Sequence, residues 1–146
     1  MAVFQCKMCG GDLTLTPGSN LAVCQYCGSQ QTVPAIDDDK KARLYNRANR
    51  YRLECEFDKA YNAYENIVSD EPTEAEAYWG LVLSEYGVEY VDDPKTGKKI
   101  PTCHRTLTRS IIANENFKSA CRNADSERRI FYKEEAETLD ALQKRI

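Results

Sequence analysis

The chain lacks any apolar run approaching the roughly 20 residues that a bilayer-spanning helix requires, so no membrane role is expected. Its first residues, Met1 to Lys7, carry neither the basic nor the apolar region of a secretory signal. A surplus of positive charge is also missing: 20 Lys and Arg stand against 23 Asp and Glu, a formal net charge of -3. That balance gives no general pull toward nucleic acid or anionic lipid. Histidine occurs once, at position 104. There is no glycine-rich phosphate loop and no defensible pair of catalytic carboxylates, so no catalytic residue is assigned and no enzyme is expected in this chain.

Without an export signal the expected compartment is the cytoplasm, where cysteines serve as metal ligands more often than as disulfides. Seven cysteines are present. Four fall into two pairs, and Cys55, Cys103 and Cys121 are scattered. An odd total with this clustering suits four ligands and three spares better than a disulfide framework.

The 146 residues divide by composition. Residues 1–34 are rich in Cys, Gly, Thr and Gln, with Lys7 and Asp12 as their only charged side chains. Residues 12–16 and 21–23 read as short strands, with Pro17-Gly18-Ser19-Asn20 as the turn between them. Residues 35–39 read as a linker, and residues 40–146 form a charged, helical domain. Within it, the spacing of Leu44, Ala48, Tyr51 and Cys55 predicts one buried stripe on a helix over 40–54. A second helix is predicted over 58–69, with Phe57, Ala60, Tyr61, Tyr64, Ile67 and Val68 facing inward. Pro72 stops it. Thr73-Glu74-Ala75-Glu76 reads as a capping box opening a third helix to about Tyr86, with Gly87 as its C-terminal cap. Asp93-Pro94-Lys95-Thr96-Gly97 between two strand-like runs predicts a β-hairpin over about 88–101. Helices over 115–123 and from 126 onward complete the expectation. The last places Ile130, Phe131, Ala136, Leu139, Leu142 and Ile146 on its apolar side, and Arg128, Arg129 and Lys133 on a solvated face offset by Glu134, Glu135 and Glu137.

Cys6-Lys7-Met8-Cys9-Gly10 and Cys24-Gln25-Tyr26-Cys27-Gly28 are two copies of CxxCG. This spacing turns two thiolates toward one cation, and the glycine supplies the left-handed backbone that closes each turn. Two such knuckles complete a four-sulfur shell with no open position for water, which points to one structural Zn2+ and a small β zinc ribbon. Iron in a rubredoxin-like site and a thiol–disulfide redox centre are the rival readings. A segment this short cannot bury enough apolar surface to fold alone, so the metal would supply the deficit.

Three further features have tempting functional readings. Cys103 and His104 are adjacent, but neighbours in sequence point apart, and a catalytic histidine ordinarily reaches its cysteine from elsewhere in the fold. Cys55 and Cys121 lie at helical positions and read as small buried hydrophobes. Trp79 stands one step off the Ala75–Tyr78–Val82 stripe, which makes it the expected partly exposed anchor for a partner.

Residues 41–74 resemble a tetratricopeptide repeat, carried by Leu44, Ala48, Tyr51, Phe57, Ala60, Tyr64 and Pro72, with Arg47 departing from the pattern. A second copy begins at Ala75 with Tyr78 and Leu81 in register, but Val82 and Glu85 depart. Over most of its length the chain resembles the N-terminal portion of bacterial proteins that join a zinc ribbon, a divergent tetratricopeptide-like segment and a Toll/interleukin-receptor-like (TIR) domain. The strings that carry this are the two CxxCG knuckles, residues 37–42, 46–49, 76–82 and 90–94, and Ile100-Pro101-Thr102-Cys103-His104-Arg105. The resemblance implies a non-enzymatic protein-interaction or scaffolding module with a protein or peptide partner, any catalytic domain lying beyond Ile146. The alternative is a nucleic-acid-binding zinc ribbon, which the single Lys and absent Arg of residues 1–34 disfavour. The sequence leaves the oligomeric state open.

Overall fold

Short alternating runs and glycine-closed turns build the N-terminal segment. The computed structural model describes residues 4–13, 20–34, 39–105, 107 and 110–145. Two small antiparallel hairpins come first: β1 (Phe4–Gln5) with β2 (Asp12–Leu13), and β3 (Leu21–Val23) with β4 (Gln30–Thr32). Residues 14–16 of the expected strand, residues 17–19 of the expected turn and residues 35–38 of the expected linker lie outside the described residues. Asp39, assigned to that linker, is instead the first residue of α1 (Asp39–Leu53), where its negative charge suits the helix N-terminus.

Helices α2 (Phe57–Asp70) and α3 (Ala75–Glu85) follow, then an antiparallel hairpin of β5 (Val88–Asp92) and β6 (Lys99–Cys103). A 3-10 turn at Ile111–Ala113 leads into α4 (Glu115–Asn123) and α5 (Ser126–Arg145). Helix α2 packs against α1 on one side and α3 on the other, and α3 packs against α4. The β5–β6 turn closes as its sequence predicts: Gly97 takes φ +72° and donates its N–H to Asp93 at 2.7 Å.

The core centres on α3. Nine of its eleven residues are buried, because α2 and α4 pack along it, α1 and β5 touch it, and Tyr132 of α5 stacks on Trp79. Trp79 is therefore not a partly exposed anchor: it is 0% exposed, stacked on Tyr132 at 5.2 Å and edge-on to Phe117 at 6.3 Å. Reading a helix by one apolar stripe fails when every face has a neighbour. Close approach of α2 and α3 depends on Gly80, where an added Cβ would lie 2.4 Å from the Tyr64 ring.

Four other expectations require correction. The buried face of α1 is Ala42, Tyr45, Ala48, Asn49 and Arg52, while Leu44 and Tyr51 are only half-buried and Cys55 lies past the helix end. Polar residues turn inward here because each meets a partner: Asn49 accepts from the Tyr64 hydroxyl, and Arg52 donates to the Lys7 carbonyl. An apolar period cannot register such a face.

The capping box does not form either. The N-cap position of α3 is Glu74, without a side-chain cap, because tertiary partners take both carboxylates: Lys41 takes Glu74, and Lys7 and Tyr132 take Glu76. On α5, Tyr132, Ala136 and Leu139 are buried while Ile130 stands 59% exposed; Ile146 lies outside the described residues. Nor are Arg128 and Arg129 merely solvated. Arg128 donates to the Val33 carbonyl through Nε (2.9 Å) and Nη2 (2.6 Å), and Arg129 to the carbonyls of Cys121 and Ala124.

Candidate metal centre

Each CxxCG run folds into the same local device. In the first, the Cys6 N–H donates to the Gly11 carbonyl at 2.7 Å and the Gly10 N–H to the Cys6 carbonyl at 2.9 Å. In the second, Cys24 and Gly28 repeat this with Ser29 and Cys24 at 3.0 and 2.8 Å. Gly10 and Gly28 take φ values of +83° and +74°, the left-handed region where a side chain would be strained. The two knuckles face each other closely: the Tyr26 ring covers Gly11, where an added Cβ would come within 2.7 Å of it.

This brings Cys6, Cys9, Cys24 and Cys27 together, with all four sulfurs within 4.8 Å of one another. The Cys6–Cys27 and Cys9–Cys24 sulfur pairs are 3.8 and 3.6 Å apart. A tetrahedral ion with metal–sulfur bonds of ~2.3 Å would separate its ligands by ~3.8 Å, so the residues fit a bound metal ion with little movement. Backbone N–H groups of Met8, Gly11 and Tyr26 point at the sulfurs of Cys6, Cys9 and Cys24 from 3.4–3.5 Å, and Gln31 Nε2 donates to Cys6 Sγ at 3.0 Å. These donors soften the negative charge that four thiolates concentrate.

The electrostatics agree. Burial raises the Cys6 thiol, but hydrogen bonds from Gln31 and from the backbone of Met8 and Cys9 outweigh it and bring the pKa down to about 7. Burial pushes the Cys9 thiol up to about 12, against the backbone bond from Gly11 and helped by the neighbouring thiols. Cys27 is raised for the same leading reason, burial. Four crowded sulfurs cannot all ionise without a cation, so binding a metal there displaces protons.

The centre is joined to the helices by groups that the sequence reading passed over. Lys7 is 2% exposed, and its Nζ donates to Thr32 Oγ1 at 2.8 Å and Glu76 Oε1 at 2.6 Å. Tyr132 donates to the other Glu76 oxygen at 2.6 Å. Gln31 joins both sides of the network, accepting from the Lys7 N–H while donating to Cys6. Phe4 meets Tyr45 edge-on, and Gln5 donates to Asn46 at 2.8 Å. The available signals were Lys7, the one cation in a charge-poor segment, and Glu76, a carboxylate opening an otherwise apolar helix.

The other sequence candidates are separated from this centre. His104 pairs through Nε2 with Glu89 at 2.8 Å, whereas burial raises the half-buried Cys103 thiol and the Gln143 amide lowers it. The neighbours do point apart. Cys55, in the turn after α1, and Cys121, in the last turn of α4, are half-buried rather than buried. Among the described residues, no helix is long and apolar enough to cross a membrane. No family model, curated protein or solved structure matches the chain.

Proposed function

We propose that the N-terminal segment is a ribbon holding one structural zinc and that the chain as a whole is a non-enzymatic protein-interaction or scaffolding module. The carrying observation is the closed four-sulfur cluster. With four protein ligands there is no position for a substrate or an activated water, so the ion's work is to hold two hairpins together. Zinc is favoured over iron because a tetrahedral thiolate shell needs no redox function and two CxxC pairs are its usual sequence signature. The helical segment, read as tetratricopeptide-like, would present its outer faces to a protein or peptide. The resemblance to TIR-bearing bacterial proteins extends this to a regulatory N-terminal part of a larger signalling or defence protein.

Lys7 supports the protein-binding reading over the nucleic-acid one. The only lysine in residues 1–34 is buried against Glu76, so it cannot contact a phosphate. One feature favours the alternative: Arg43, Arg47 and Arg50 share an exposed side of α1 beside Gln5. A mobility-shift titration with single-stranded and duplex DNA and RNA separates the two. No shift at low salt is expected, and a salt-sensitive shift abolished by Arg47→Glu would overturn the protein-binding reading. Elemental analysis after dialysis against a mild chelator tests the ribbon: about one zinc per chain should remain, and Cys6→Ser should lose it.

A further inference from the structure

A second group of metal-binding side chains lies away from the four-cysteine cluster. Cys55 sits in the turn between α1 and α2, Glu89 on β5, and His104 just after β6. The Cys55 sulfur, a Glu89 oxygen and a His104 ring nitrogen lie within 4.8 Å of one another. Among the described residues these are the only three His, Cys, Asp or Glu, apart from the ribbon cysteines, that gather this closely.

Backbone and packing both aim these groups. Cys55 is the only described non-glycine residue with a positive φ, at +60°. It occupies the left-handed position that ends α1: its N–H donates to the Arg52 carbonyl at 3.0 Å, and the Glu56 N–H to the Tyr51 carbonyl at 2.8 Å. Glycine is the usual residue there, and a side chain in that conformation is strained. The sequence places a thiol instead, and its sulfur comes within 4.8 Å of a Glu89 carboxylate oxygen. The His104 ring rests on Phe57 at 5.6 Å, and its backbone N–H is fixed to the Gly87 carbonyl at 2.8 Å. Arg105, the nearest cation on the same strand end, is drawn off to Asp58 at 3.0 Å.

We propose that Cys55, Glu89 and His104 bind a second divalent ion of the zinc class, which staples the α1–α2 turn to the β5–β6 hairpin. A thiolate, a carboxylate and a neutral imidazole balance a divalent charge, unlike four thiolates, and this mixed sulfur, oxygen and nitrogen set suits zinc among common ions. Three protein ligands leave the fourth position to solvent, because His104 and Glu89 are 47% and 36% exposed. Binding displaces the Cys55 thiol proton and breaks the direct His104–Glu89 hydrogen bond, both groups turning to the ion.

The test uses the full chain with the ribbon loaded. After equilibration with micromolar zinc and no chelator, about two ions per chain are expected; a mild chelator should strip one and leave the ribbon ion. Cys55→Gly is the most informative variant because glycine fits the backbone better, so loss of the labile ion cannot be assigned to unfolding. Cys55→Gly, Glu89→Gln and His104→Ala should each weaken the labile ion by more than the about 10–100-fold cost of losing an outer-shell partner. Cys103→Ser should change nothing. Cobalt added to the zinc-loaded ribbon should give a spectrum with a single thiolate–metal transition that disappears in Cys55→Gly. A labile ion that survives all three variants, or a wild-type chain that takes up only the tight ion, overturns the proposal. Loss of the tight ion alone would instead count against the ribbon.

Discussion

The N-terminal hairpins and the helical body are held together by different means. The described hairpins contain ten strand residues in four strands and bury few large side chains, among them Phe4, Leu13 and Val33. Their order comes from sulfur, glycine turns and buried charge. The helical body buries Trp79, Tyr45, Tyr64, Tyr86, Tyr132, Leu83 and Leu139 almost completely, each worth about 1.5–3 kcal/mol relative to exposure. The lesson is that one molecule can be specified locally in one region and only collectively in another.

Breaking the sulfur cluster should have the largest effect and should be confined to one region. Cys24→Ser forfeits metal-binding free energy on the order of 10 kcal/mol. Amide exchange should show protection lost across residues 4–13 and 20–34 while helical circular dichroism persists. Equal loss in both regions would mean that the helices need the hairpins to fold.

The link between the regions comes next. Glu76→Gln leaves the Lys7 ammonium buried without its counter-charge and should cost about 3–5 kcal/mol in urea denaturation. Lys7→Met combined with Glu76→Leu should recover most of that, since an apolar pair of similar size is often nearly neutral. If Glu76→Gln were silent, the hairpins would be held to the body by their apolar contacts and by the hydrogen bonds from Gln5 to Asn46, Arg52 to Lys7 and Arg128 to Val33.

Packing within the body is expected to be less sensitive. Gly80→Ala drives a Cβ into the Tyr64 ring and should cost about 1–3 kcal/mol, despite alanine's better helix propensity. The smallest effect is expected at Ile130, apolar by sequence yet exposed: Ile130→Ser should shift stability by no more than about 0.5 kcal/mol. A larger loss there would reveal a contact outside the described residues or with a second molecule.

Where the sequence reading succeeded, the cause lay within a few residues. Both knuckles and the β5–β6 turn follow from glycine, proline and cysteine at fixed offsets. Where it failed, a distant partner had decided. Trp79 looked like a surface anchor because its own helix could not reveal α4 and α5 beyond it. Thr73 looked like a cap because nothing nearby showed that Lys41 and Lys7 would claim Glu74 and Glu76. The stripe on α1 was read about one residue off because Asn49 and Arg52, polar and therefore assigned to solvent, find hydrogen-bond partners inside.

The sequence by itself determined the sulfur quartet, the two turns that hold it and the positions of most helices, since spacing and backbone preference act over a turn or two of chain. Only the tertiary structure decided that Lys7 faces inward to Glu76, that Trp79 is enclosed, and that Cys55, Glu89 and His104 meet. Those outcomes depend on desolvation and on groups from 15 to 69 residues apart, which no local pattern encodes.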